Sequence, residues 1–256
     1  MTALTKHSTI PYNLYVYDNL THYKIQEHFL YWSILYEKGL ISQVTFNTED
    51  STFNAFSKAV ASNQFGFSHT IDPNRDKYNF LLFLDNDIIV HPGFDIILND
   101  AWEEIKNSSI KDKVKIVTQS PGGIMDRKIL KFQIAKHDAV IGKYSGSGFW
   151  CVKPNFFEDV GFLKISRLIG LNKKHDQEYW RLLEKFGCEY VVGLNAKLAL
   201  HCGGIAGSIC NSLTNIKDKE VALEKIKFEL ADEEIDKLTF DQFYSKICDR
   251  EELYKW

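Results

Sequence analysis

FLLFLDNDIIVHPGFD, residues 80–95, is an apolar run broken at its centre by two carboxylates, Asp85 and Asp87. Phe80–Leu84 reads as a buried strand, and Ile88–Val90 is apolar again before the Pro92-Gly93 turn. Carboxylates between such flanks are costly unless something positive compensates, and a divalent cation is the usual compensation. Side chains two apart on a strand share a face, so Asp85 and Asp87 can converge on one ion while Asn86 points away. The bland alternative is a strand-to-turn boundary with ordinary Asx hydrogen bonds.

Bulk properties narrow the classes. A chain of 256 residues, 45% hydrophobic and 25% charged, is ordinary for a globular α/β protein with a full core; only its 14% aromatic content is high. No apolar run approaches the ~18 residues of a membrane span, and the first residues lack the apolar core of a signal peptide. The expectation is a cytoplasmic protein without a transmembrane segment. Five cysteines, an odd number with no C-x-x-C pair, read as reduced thiols. Net charge is −3, yet residues 111–174 hold thirteen Lys and Arg against five acids, a local +8. Such asymmetry is either a solvated face or the side that meets an anionic substrate.

Outward from the central stretch, the pattern alternates. Leu14–Tyr17 is a strand candidate running into Asp18-Asn19; Ile25, Phe29, Trp32, Leu35 and Tyr36 come next at helical spacing until Gly39. Gln43–Phe46 is the next strand, and Thr52–Ser62 the next helix. This rhythm predicts α/β architecture with a mixed, mainly parallel sheet and helices on both faces. In such sheets ligands sit beyond the carboxyl ends of strands, where Asp18 and Asp85/Asp87 fall. Residues 96–106 read as a helix, Lys113–Thr118 as a strand, and Asp126–Lys136 as a further helix. Ser145, Gly146, Ser147 and Gly148 precede an apolar strand ending at Pro154; glycines there let backbone approach a ligand, or simply make a turn. A helix begins near His175-Asp176 and ends at Gly187, with Asp176 in the first turn, where the macrodipole favours an acid in any protein. A strand over Ala196–Leu200 delivers His201, and then comes the Gly-rich HCGGIAGSICN. From residue 216 the chain is charged and helical in pattern, which divides it into a domain over 1–211 and a C-terminal helical extension over 212–256.

The order of these features resembles the inverting nucleotide-sugar glycosyltransferases of family 2, which have the GT-A (Rossmann-like) fold. VYDN (16–19) is similar to that family's second strand, FLDND (83–87) to its D-x-D strand end, and SGSGFWCVKPNFFEDVGFL (145–163) to its acceptor-side segment. HDQEYWRLLEKFG (175–187) resembles its catalytic helix, with His175 where the family has Glu and Glu178 where it has the second Asp; ALHCGG (199–204) resembles the strand end whose His completes metal or diphosphate binding.

The resemblance implies a metal-dependent transferase moving a sugar from a nucleoside-diphosphate sugar, with UDP the most frequent nucleotide. Asp87 and His201 would hold Mn²⁺ or Mg²⁺; Asp18, Asp85, Asn86, Ser147 and Gly148 would contact the donor; Asp176 would be the general base. In the resembled fold the segments from about 120 to 176 build the acceptor side. Together with the +8 charge this leads to an anionic acceptor: a glycan, a lipid-linked sugar, or a hydroxymethylated base of duplex DNA. Two readings from other classes stand beside it. One is a catalytically silent GT-A-like binding protein; the other is a zinc hydrolase using His201, Cys202 and Cys210, a spacing that matches no common zinc pattern.

Overall fold

A computed structural model describes residues 2–18, 25–46, 54–85, 88–120, 124–145, 148–164 and 175–201. In chain order these form α1 (Thr2–His7), β1 (Tyr15–Asp18), α2 (Ile25–Glu37), β2 (Gln43–Phe46), α3 (Asn54–Thr70), β3 (Leu81–Leu84), β4 (Ile88–Val90), α4 (Phe94–Lys106) and β5 (Ile116–Gln119). Next are β6 (Met125–Ile129), β7 (Ala139–Lys143), β8 (Phe149–Val152), α5 (Phe156–Val160), α6 (His175–Leu183), β9 (Val191–Leu194) and β10 (Ala199–His201). The fold is mixed α/β, and its described residues divide into two compact units, one within 2–10, 80–153 and 188–201, the other within 11–79 and 154–187. No helix among the described residues is long and apolar enough to cross a membrane. The helical extension expected over 212–256 lies outside the described residues.

In the first unit six strands form one sheet in the order β3-β8-β5-β9-β7-β6. Only β5 and β9 pair in parallel; the other four neighbouring pairs are antiparallel, so the mainly parallel sheet expected from the sequence is corrected here to a mixed, mainly antiparallel one. For β6 and β7 chain length gives the reason: a parallel neighbour needs a crossover of about a dozen residues or more, and only residues 130–138 join these two strands.

Helix α4 covers one face of this sheet because its apolar residues recur at helical spacing. Phe94, Leu98, Ala101, Trp102 and Ile105 are all buried, in one cluster with Val117, Cys151, Val192 and Leu194. The Trp102 indole donates to Cys151 Sγ at 3.1 Å, and Cys151 is a free, buried thiol.

The helix expected over Asp126–Lys136 is not formed. Those residues make strand β6 and a hairpin into β7, closed by reciprocal backbone bonds between Ile134 and His137 of 3.0 and 2.9 Å. The turn residues Ala135 and Lys136 both take left-handed φ, 50° and 64°. Two successive positive φ values make the type I′ geometry that matches strand twist, normally signalled by Asn-Gly or Asp-Gly. Glu104 Oε2 of α4 accepts the Ala135 N–H at 2.9 Å and holds the turn.

The second unit keeps closer to the predicted alternation. β1 and β2 are parallel, Tyr15 opposite Gln43, as the strand-helix-strand rhythm requires. Helix α3 runs eight residues beyond its expected end at Ser62. Gly66 lies in that extra length, where a Cβ would collide with the ring of Phe157 from α5. Asn63 binds Leu163 through both amide atoms, each at 2.9 Å. Helix α6 ends in a single 3-10 turn and then Gly187 with φ 90°, the stop read from the sequence.

Candidate functional site

The candidate site in the first unit grows from the end of β3. Asp85 leaves the strand with its N–H donated to the Gly148 carbonyl at 2.9 Å, and Ile88 N–H returns to the Asp85 carbonyl at 3.2 Å. Strand β4 begins at Ile88. The half-buried Asp85 carboxylate lies against Gly148, its Oδ2 only 3.3 Å from where a Cβ at 148 would stand. A side chain there would press on the carboxylate; glycine leaves the approach open.

Strand β4 pairs antiparallel with β10, Ala199 opposite Val90 and His201 opposite Ile88. Position 201 is therefore beside the residue immediately after Asp87. Three segments remote in sequence, around 85–88, 148 and 201, converge at one strand end. Asn86, Asp87 and Ser147 lie outside the described residues, as do the side chains of His201 and Asp176. Cys202, Cys210 and the Gly-rich segment after His201 lie outside them too. Among the described residues no three His, Cys, Asp or Glu side chains converge to hold a metal. The chain matches no family model, no curated protein and no solved structure.

The β4–β10 ribbon is held by residues that no sequence motif singles out. Gln119 Oε1, buried at the end of β5, accepts the N–H groups of Leu198 and Ala199, both at 2.8 Å, and so fixes the start of β10. His7 Nδ1 is 2.7 Å from the Val90 carbonyl, and His91 N–H reaches the Leu198 carbonyl at 2.8 Å. Asp95, buried in the first turn of α4, accepts the Thr9 and Ile10 N–H groups at 2.5 and 2.6 Å and ties the N-terminal segment down behind β4. In the sequence Asp95 is visible only as a helix-start acid. Its partners are 85 or more residues away, so spacing holds no signal of them.

In the second unit Asp18 ends β1, half-buried, and its Oδ2 accepts the Trp32 indole N–H at 2.5 Å. Glu178 on α6 is buried and held by Arg181 through Nε, at 3.0 and 3.1 Å, and Nη2, at 2.7 Å. This bidentate pair, one turn along the same helix, secures the charge of Glu178 within α6. Ser145, the first of the small residues before β8, is buried and accepts the Trp150 indole N–H at 2.9 Å, which gives it a structural task in the first unit.

Among the described residues of the first unit, the basic residues of the middle third do not gather at the Asp85 end. Arg127, Lys128 and Lys131 belong to β6 and the chain just after it, at the opposite edge of the sheet from β3. Lys113 and Lys128 both bind Glu189, at 2.8 and 2.5 Å. These hydrogen bonds and charges pull the Glu189 carboxyl down to about 2.

Proposed function

We propose that this chain is a metal-dependent inverting glycosyltransferase of GT-A architecture that uses a nucleoside-diphosphate sugar, UDP-linked by preference. The observation that carries the reading is the β4–β10 pairing. It sets position 201 opposite Ile88, next to Asp87, at the strand end where Asp85 meets Gly148.

The donor chemistry fits a hard divalent ion. Asp87 supplies carboxylate oxygen and His201 an imidazole, a set suited to Mn²⁺ and, less selectively, Mg²⁺. When bound, the ion neutralises charge growing on the diphosphate as it leaves. Asp85, kept close to backbone by Gly148, accepts hydroxyl hydrogen bonds from the ribose or donor sugar. Asn86 and Ser147 belong to the same two segments and line the donor beside it.

The roles of Asp18 at the base and Asp176 as general base rest on the resemblance alone. Asp176 takes the proton of the acceptor hydroxyl as that oxygen bonds to the anomeric carbon. The bond from that carbon to the diphosphate oxygen breaks on the opposite side, and configuration inverts. The acceptor is an alcohol of a glycan or lipid-linked sugar. The +8 of the middle third does not argue for anionic charge at the Asp85 end, because Arg127, Lys128 and Lys131 sit at the far sheet edge.

Thermal unfolding of the purified chain with UDP, Mn²⁺ or both tests the reading. UDP and Mn²⁺ together should raise the midpoint beyond the sum of their separate effects, and Asp87→Ala should abolish that gain. A gain of equal size without Mn²⁺, or one that survives in Asp87→Ala, would remove the metal assignment and with it this function.

A further inference from the structure

Among the described residues the β4–β10 ribbon is a sheet of its own, and no strand ladder joins it to the six-stranded sheet of the first unit. A side chain fastens it there instead. Gln119, the last residue of β5, is 9% exposed, and its Oε1 accepts both the Leu198 and the Ala199 N–H at 2.8 Å, from 79 and 80 residues further along the chain. Successive N–H groups of an extended strand point to opposite edges. For both to reach one oxygen the chain has to bend at 198–199, so Gln119 sets the point and the direction from which β10 starts. Leu198 and Ala199 are buried, at 0 and 1% exposure, and water is a poor substitute for the acceptor there. The Gln119 amide nitrogen has no hydrogen-bond partner among the described residues, so the oxygen carries the task.

Two residues beyond Ala199, roughly 7 Å along the strand, comes position 201, opposite Ile88 and therefore beside Asp87. We propose that Gln119 is a positioning residue for the metal. It touches neither ion nor donor; by holding the start of β10 it sets where His201 stands relative to Asp87. The inference rests on the metal site proposed above and adds to it a residue that belongs to neither ligand segment.

Mn²⁺ titration in the presence of UDP, with amide exchange followed on the same proteins, tests it. Gln119→Met keeps length and bulk and removes the acceptor, whereas Gln119→Glu keeps an acceptor oxygen. The Met variant should bind Mn²⁺ about tenfold more weakly or worse, the scale of losing a group that orients a metal ligand. Exchange at residues 198–201 should quicken in it while β5 and β9 exchange as before, and the Glu variant should restore both readouts. Should the Met variant fail to fold, the parent still decides: Leu198 and Ala199 amides that exchange as fast as exposed ones overturn the proposal. Weakened binding that Gln119→Glu does not restore overturns it as well. A parent that binds Mn²⁺ beside a Met variant that binds it equally well overturns the role of Gln119 alone, whereas a parent that takes up no Mn²⁺ removes the metal site and this role together.

Discussion

The Asp85 carboxylate stands 3.3 Å from the point where a side chain at Gly148 would begin, and the two residues are joined by a 2.9 Å backbone hydrogen bond. Gly148→Ala should therefore be felt by the carboxylate before it is felt by the fold, since the carboxylate tip can yield by a few tenths of an ångström. UDP affinity in the presence of Mn²⁺ should fall about tenfold, the scale of one hydrogen bond to a charged group, with little change in melting temperature. Calorimetric titration measures the first, and an unchanged affinity would detach Asp85 from donor binding.

Asp176→Asn keeps the shape of the α6 start and removes the base. Transfer to an acceptor should drop by about 10² or more while UDP binding persists. Should transfer survive nearly intact, Asp176 is only the first-turn acid that any helix favours.

The hairpin turn predicts a gain in stability. Ala135 and Lys136 hold left-handed backbone, which costs a non-glycine residue roughly 1–2 kcal/mol. Ala135 is buried in the core, so the change belongs at the exposed position: Lys136→Gly supplies the glycine that a type I′ turn prefers and should stabilise the chain by about 1 kcal/mol. The urea midpoint reads this directly; a lower midpoint would contradict the turn assignment.

Acid should unfasten the Glu189 cluster. Its carboxyl is depressed from 4.5 to about 2 by Lys113 and Lys128, so the folded state binds its proton less readily than the unfolded chain. The stabilisation is complete above the ordinary glutamate value and disappears as pH falls from about 4.5 through about 2. Glu189→Gln should flatten that limb of the stability curve and leave its shape above pH 5 unchanged. Equal acid sensitivity in both proteins would show that other carboxylates set it.

Periodicity by itself determined α4 and the apolar strands β3 and β8. Each of these is decided by residues a few positions apart, and the spacing Phe94, Leu98, Ala101, Trp102, Ile105 needs no partner to be read. The sequence also marked Asp85, Gly148 and His201 separately, as a strand-end acid, a small residue before a strand, and a strand-end histidine. Only the tertiary structure decided that they meet. Asp85 and Gly148 touch because β3 and β8 are antiparallel neighbours, and position 201 reaches Ile88 because β10 is pinned to β4 with Gln119 holding its start. The β6–β7 hairpin was hidden for the same reason. Its turn lacks the local Asn-Gly signal and is held by Glu104, 31 residues earlier in the chain, a bond that exists only once α4 has packed on the sheet. Local energetics can be read from neighbouring letters, whereas register and long-range hydrogen bonds are set by which faces and edges the assembled core leaves to be satisfied.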